Sequence, residues 1–286
     1  MKRGLRWLFL ALPIGWVVLA HVGPLIAMAR ISLLDVYPTA PGTASLWSLA
    51  AYGALIGGTG YQAALWHSLG QALAATVVSA VLAWPLAWHV ARVPARLRGL
   101  RLALLVAPFW TSEVLRMFAL VLLLSNRGVL NAVLRWAGLT EAPVALLYGS
   151  GAVLAGIVYT VMLTMLLSLY AAFSRVPPEL LEAAAELGAK GWQRQMFVVL
   201  PLAAGGLASG VALTFLLALG ALVAPTLLGG AGTPSFAVVI GSFFSGASGR
   251  WPMGAAFSLV LLVVGTACAG GLAFGVRAGA ALRARA

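Results

Sequence analysis

The sequence predicts an all-α integral membrane protein that crosses the bilayer six times, and three observations carry that reading. Of 286 residues, 62% are hydrophobic and only 8% charged, whereas about a quarter of the residues of a soluble domain are charged. The mean hydropathy is +1.02. The apolar residues also come in six blocks, each long enough to cross a hydrocarbon core of about 30 Å as a helix.

The first block, residues 7–29, follows Met-Lys-Arg-Gly-Leu-Arg and has the flanks of a signal peptide. Its apolar core of about twenty residues lacks a small-x-small cleavage site, which predicts a retained span. The others cover 67–91, 102–124, 150–173, 202–225 and 252–276. Between the first two, residues 38–61 hold Pro38, Pro41, Gly42, Gly53, Gly57, Gly58 and Gly60, and so predict irregular backbone lying across the membrane surface. Gly128 to Gly138 encloses VLNAVLRWA, a helical pattern too short to span and suited to the interface, with Arg135 and Trp136 at the headgroups.

The formal net charge is +12 and the pI near 11.3, a balance that in a soluble chain would suggest nucleic acid as a partner. Here the bases flank spans. Placing alternate connections on one side gathers Lys2, Arg3, Arg6, Arg92, Arg96, Arg98, Arg101, Arg175, Lys190, Arg194, Arg277, Arg283 and Arg285, thirteen bases. The other side receives four, Arg30, Arg127, Arg135 and Arg250. The positive-inside rule then puts both termini and the 92–101 and 174–201 loops in the cytoplasm, with 30–66, 125–149 and 226–251 outside. This argues against a nucleic-acid face.

Catalytic and metal chemistry find little support. Cys268, the single cysteine, sits in an apolar block and reads as a small packing residue. His21, His67 and His89 are scattered without a carboxylate cluster, so no metal site is expected. Ser112, Ser125 and Ser150 have no His/Asp partners at a recognisable spacing.

The loop SRVPPELLEAAAELGAKGWQRQMFVVLP, Ser174 to Pro201, is the most informative stretch. Pro177 and Pro178 suit the first turn of a helix, where a missing N–H leaves nothing unpaired, and Glu179 complements the positive dipole end. Gly188 can end the helix with positive φ. Glu182 and Glu186 share a face, while Leu180, Leu181, Ala184 and Leu187 form an apolar side. Such a helix either docks into a partner's groove or caps the loop as a plain surface element. Pro201 marks the entry to the fifth span.

Glu182-Ala183-Ala184, Gly188 after three residues, Val198 after nine more, and Leu200-Pro201 resemble the EAA loop of ATP-binding-cassette (ABC) importer permeases, EAA-x3-G-x9-I-x-LP, with valine for isoleucine the one departure. The resemblance implies a type I-like permease fold in which this loop is a coupling helix seated in a cleft of the ATPase subunit. Glu182, Ala183, Ala184, Gly188, Leu200 and Pro201 would then be its contacts and geometry-setting positions.

Three stretches resemble the spermidine/putrescine-type subgroup: Ala107 to Arg116 (APFWTSEVLR), Pro225 to Gly230 (PTLLGG) and Trp251 to Ala256 (WPMGAA). The likeness covers most of 67–277, so the chain divides into a first span with external segment (1–66), a core permease domain (67–277) and a cytoplasmic tail (278–286). Ala221 stands where the family often has a polar residue, which weakens the inference of a polyamine cargo. The GxxxG element Gly206 to Gly210 implies close helix packing, placed at an interface with a partner permease.

The resemblance further implies a non-catalytic subunit of a bacterial inner membrane. Its partners would be a second permease, in a heterodimer, two ATP-binding cassette subunits holding the ATP and Mg, and an external solute-binding protein. The chain itself would bind no cofactor. Its cargo would be a small polar solute, a polyamine or related organic compound included. Trp110, Thr111, Ser112, Glu113 and Arg116 cluster in the third span and suggest a polar translocation path, the alternative being a structural Glu113–Arg116 pair. A self-contained secondary transporter or channel would call for inverted repeats or several membrane acids. No repeat is visible, and Glu113 is the one acid in a span.

Overall fold

The computed structural model describes residues 11–39, 45–245 and 250–283. The expectations for residues 7–10 and for Lys2, Arg3, Arg6, Pro41, Gly42 and Arg285 fall outside the described residues. In chain order the helices are α1 (Ala11–Ile31), α2 (Ala50–Gly57), α3 (Thr59–Arg92), α4 (Ala95–Val106), α5 (Glu113–Leu124), α6 (Val129–Trp136) and α7 (Ser150–Phe173). They continue with α8 (Pro178–Glu186), α9 (Gly191–Leu219), α10 (Val223–Leu228), α11 (Phe236–Phe244) and α12 (Trp251–Arg283). Among the described residues, β pairing is confined to isolated bridges, Leu34 with Trp47 and Tyr37 with Arg250.

Six stretches are long and apolar enough to cross a membrane: Ala11–Ile31, Thr59–Arg92, Glu113–Trp136, Ser150–Phe173, Gly191–Leu219 and Trp251–Arg283. The all-α, six-span reading therefore holds, while several boundaries move. Residues 50–57 are helical rather than irregular, and α3 begins at Thr59, eight residues before the predicted span. Glycine costs only about 1 kcal/mol in a helix interior, and burial of Ala51 and Leu55 opposes that cost. Only Gly58 breaks the helix, in extended backbone. At the other end of the chain, α12 runs on through Arg283, so the described part of the predicted tail is helical.

The predicted third span, 102–124, is interrupted. α4 tightens into a 3₁₀ turn at Ala107–Trp110, Thr111 and Ser112 are extended, and α5 starts at Glu113. Pro108 causes this, because it has no N–H to give and its ring crowds the carbonyl one turn back. The predicted fifth span, 202–225, begins earlier, at Gly191, and ends earlier. α9 is capped at Gly220, Ala221 and Leu222 form a break, and Pro225 sits in the first turn of α10. Pro201 does not open the helix. A π-helical turn at Gln195–Val199 precedes it, and such a wider turn accommodates a proline inside a continuous helix.

The chain divides into two compact units, Met1–Ala63 with Val239–Val263 and Ala64–Val238 with Val264–Ala286. In the first, Tyr61, Phe243 and Phe257 stack edge to face at centroid distances of 5.1–6.1 Å. The second is centred on α7, with a buried cluster that includes Ala83, Ala87, Met165, Leu169, Phe173, Val199 and Ala203. The GxxxG glycines pack here within the chain. A Cβ on Gly206 would overlap that of Ala172, and one on Gly210 would lie 2.9 Å from Ser168 Cβ. Within the chain, this element thus packs on α7.

This contact separates neighbouring glycines. Gly206→Ala should force α9 away from α7 and cost about 1–3 kcal/mol, lowering the melting temperature of the detergent-solubilised protein. Gly205→Ala, whose Cβ meets open space, should leave it unchanged or slightly raised. Equal melting temperatures for the two variants would refute the packing assignment.

Candidate functional site

The loop after α7 is anchored before it begins. Phe173, fully buried at the end of α7, receives Trp84 and Trp88 of α3 edge to face at 4.8 and 5.5 Å. The Arg92 guanidinium lies 4.4 Å from the Trp88 ring centroid and donates to the Val176 carbonyl at 3.3 Å. Arg98 donates to the Ala91 and Val93 carbonyls at 3.2 and 3.3 Å, pairing acceptors left open where α3 ends. The chain therefore enters Pro177 from a fixed position.

Pro177 is extended, with ψ 134°, and Pro178 is the first residue of α8. Three residues after the predicted EAA positions, Gly188 has φ +81°. Its N–H donates to Ala185 O at 2.9 Å, and the Ala189 N–H donates to Ala184 O at 3.0 Å. This is the paired bonding of a Schellman motif, which satisfies carbonyls that a helix end leaves open. The chain then re-enters a helix at Gly191, where the Gln193 side chain accepts the Lys190 N–H at 2.7 Å.

The faces of α8 differ in detail from the sequence pattern. Leu181 packs on the buried cluster around Phe173, and Ala184 is half-buried beside it on the same face. Leu180 and Leu187 turn outward, 45% and 89% exposed, with Ala183 between them and Glu179, Glu182 and Glu186 alongside, all exposed. Periodicity puts the four leucine and alanine positions on one side, and only the fold divides them. Beyond the turn, Trp192 and Phe197 are also largely exposed, their rings 6.4 Å apart. Leu200 is buried, and Pro201 is half-buried next to it.

The five residues singled out in the third span separate into two groups. Trp110, 81% exposed, lies with Thr111 and Ser112 at the helix break, all exposed, and Thr111 Oγ1 donates to Pro108 O at 2.9 Å. Glu113 and Arg116, both half-buried, turn toward α7. The single Thr160 hydroxyl proton is shared between Gly156 O at 3.1 Å and Glu113 Oε1 at 3.4 Å. The Arg116 guanidinium lies between Phe109 and Tyr159, 5.4 and 5.1 Å from their centroids, with Nε and Nη1 buried and unpartnered. The two residues are each held by α7 side chains rather than by a close mutual contact. Among the described residues no group of three or more His, Cys, Asp or Glu side chains converges on a metal position.

Comparison with known proteins adds a family to this geometry. Residues 58–277 match the family described as binding-protein-dependent transport system inner membrane component. The chain is 34% identical over 251 residues to the spermidine/putrescine transport system permease protein PotB of Salmonella typhimurium, covering 88% of this chain and 86% of that protein. It is 36% identical over 204 residues to PotB of Escherichia coli, covering 71% and 74%. It is 33% identical over 274 residues to the inner membrane ABC transporter permease protein YdcU of Escherichia coli, covering 90% and 86%. Among solved structures, a chain of a bacterial ABC transporter involved in the import of alginate superposes with a TM-score of 0.68 at 18% identity, covering 96% of this chain and 95% of that one. That likeness concerns the fold.

The Schellman turn makes a local prediction. Gly188→Val places a β-branched residue at positive φ and should cost about 1–2 kcal/mol, raising the frayed population of the turn roughly 5- to 30-fold. Trypsin should cut the solubilised protein at the exposed Lys190 correspondingly faster. An unchanged rate would show that the turn is not strained by the substitution.

Proposed function

We propose a function from one premise: the chain belongs to the binding-protein-dependent transport system inner membrane components, the permeases of ABC importers. It is a multi-pass permease subunit of an inner membrane importer. In the proposed assembly it pairs with a second permease, as a heterodimer, and with two ATPase subunits that hold ATP and Mg and perform all hydrolysis. Cargo arrives from an external solute-binding protein. One alginate transporter structure is in complex with a pentasaccharide-bound periplasmic protein, which supports such a partner. Both termini and the α8 loop lie on the cytoplasmic side, supported by the distribution of bases.

In this reading α8 is the coupling helix. The observation that carries it is the outward face of the loop, where Leu180, Leu187 and Trp192 are exposed beside the Glu182 face. A fixed helix with apolar side chains displayed outside the spans suits a cleft in the ATPase. Glu182 and Ala183 make contacts in that cleft, Ala184 allows close approach, and Gly188, Leu200 and Pro201 set the geometry. ATP-driven closure of the ATPases moves α8 and rocks the two permeases around a central path. Trp110, Thr111, Ser112, Glu113 and Arg116 contribute polar and aromatic groups to that path. The cargo is a small polar organic solute of the polyamine type, a choice supported by the names of the relatives.

Reporter fusions after Gly60 and after Gly191 should report opposite sides of the membrane, and the same side for both would overturn the orientation. In the reconstituted complex, Glu182→Lys should abolish stimulation of the ATPase by loaded binding protein, with the permease still inserted at normal yield. Wild-type stimulation in that variant would sink the coupling role of α8.

A further inference from the structure

A groove of about 570 Å³ runs along the seam between α7 and α9. Its floor is the close contact of Gly206 with Ala172, and above that floor Leu167 and Ala171 of α7 face Leu202, Gly205 and Ser209 of α9. Leu167 and Leu202 are 41% and 53% exposed, and a Cβ on Gly205 would meet open space. Arg175, just beyond the end of α7, lines the last part of the groove. It is exposed, and its guanidinium has no hydrogen-bond or ion-pair partner among the described residues. No carboxylate lines the groove, so its one charge is positive and uncompensated. On the orientation proposed above, Arg175 lies at the cytoplasmic headgroups, and Leu167 and Ser209 lie roughly 10 Å deeper at 1.5 Å per helical residue.

We propose that this groove seats one anionic phospholipid of the cytoplasmic leaflet, with its phosphate on Arg175 and the first methylenes of one acyl chain along Leu167, Ala171 and Leu202. A guanidinium fork matches two phosphate oxygens, and basic pockets between membrane helices on the cytoplasmic side suit anionic headgroups. A helix of a second permease fits the shape of a groove floored by small residues, but not its charge. At this depth such a helix obeys the same positive-inside rule and brings bases, not acids, to Arg175. A free phosphate would leave the apolar length of the groove unfilled. The lipid would tie the departure of the α8 loop to its return, since Arg175 stands three residues before Pro178 and Leu202 directly follows Pro201. The seat rests on the orientation proposed above, which the reporter fusions test separately.

The test uses the complete importer in phosphatidylcholine nanodiscs doped with a phosphatidylglycerol that carries a photoreactive diazirine early in one acyl chain. Adducts should map to residues 167–175 and 202–209. Unlabelled phosphatidylglycerol should compete for them about fivefold better than phosphatidylcholine, the worth of one base facing an anionic lipid. Arg175→Gln should cut the labelling by a similar factor and Arg175→Lys should retain most of it, whereas Arg96→Gln, which removes an exposed base from the other cytoplasmic loop, should leave it unchanged. Gly205→Leu, whose side chain enters open space, should fill the groove and block labelling. Arg175→Gln alters only an exposed side chain and keeps the test decisive if Gly205→Leu fails to assemble. Absence of adducts from both segments of the wild type, equal competition by the two lipids, or equal losses in Arg175→Gln and Arg96→Gln would each overturn the seat. Labelling of the chain purified alone that disappears in the complete importer would give the groove to the second permease and overturn the lipid. Phosphatidylglycerol occupies both leaflets of a nanodisc, so the labelling does not depend on orientation, and its failure would leave the importer reading intact.

Discussion

The structure of the second unit depends on one side chain more than any other, the ring of Phe173. It is fully buried and takes two tryptophan edges from α3, an arrangement that adds about 0.5–1.5 kcal/mol per pair to the burial itself. Leu181 of α8 and Val199 at the return of the loop belong to the same apolar cluster. The loop is thus pinned at its departure, at its middle and at its return around a single packed centre. A close-packed interior transmits displacement because it has no free volume in which to absorb it. Leu181 and Phe173 thus join α8 to α3 and α7 in one packed cluster, which is what the proposed coupling requires mechanically.

Glycine and proline then decide where the spans stop being regular. Gly156, two turns into α7, faces Leu228, Ala224 and Met117, and a Cβ there would come within 2.5 Å of the first. Two short helices, α5 and α10, are thereby admitted to the surface of a long one. Both follow breaks, at Thr111 and Ser112 and at Ala221 and Leu222, and irregular backbone at membrane depth is tolerated where it lines a cavity or is covered by protein. Ala221 does line a chamber. The same interruptions that cost regular hydrogen bonds make room for polar groups inside an otherwise apolar bundle.

What could be read from the sequence, and what could not, follows from the range of each interaction. The six spans were legible because hydrocarbon thickness imposes a length that apolar blocks must meet. The limits of α8 were legible because Pro177, Pro178 and Gly188 act through their own backbone: Pro178 is the first helical residue and Gly188 has positive φ as expected, while Pro177 stays outside the helix as the extended residue before it. The start of α3 was not, because Gly57 and Gly60 weigh against helix locally while burial of neighbouring residues weighs for it. The break at Thr111 was signalled by Pro108 but masked by the apolar run around it. The outward turn of Leu187 and the packing of Gly206 on α7 depend on residues that are distant in the chain, and no periodicity encodes a partner.

Charge inside the spans is handled by the same local means. An isolated ionised side chain in hydrocarbon costs several kcal/mol, and Glu113 and Arg116 lower that cost in different ways. Glu113 lies in the first turn of α5, where the helix dipole favours a negative group, and it accepts from the Thr160 hydroxyl. Arg116 is covered by the faces of Phe109 and Tyr159, whose quadrupoles favour a cation. The two charges are held separately, with Arg116 Nε and Nη1 still unpartnered, so the seam presents two centres of opposite sign rather than one closed pair. On the proposed path, a cation would be drawn toward the Glu113 side and kept from Arg116.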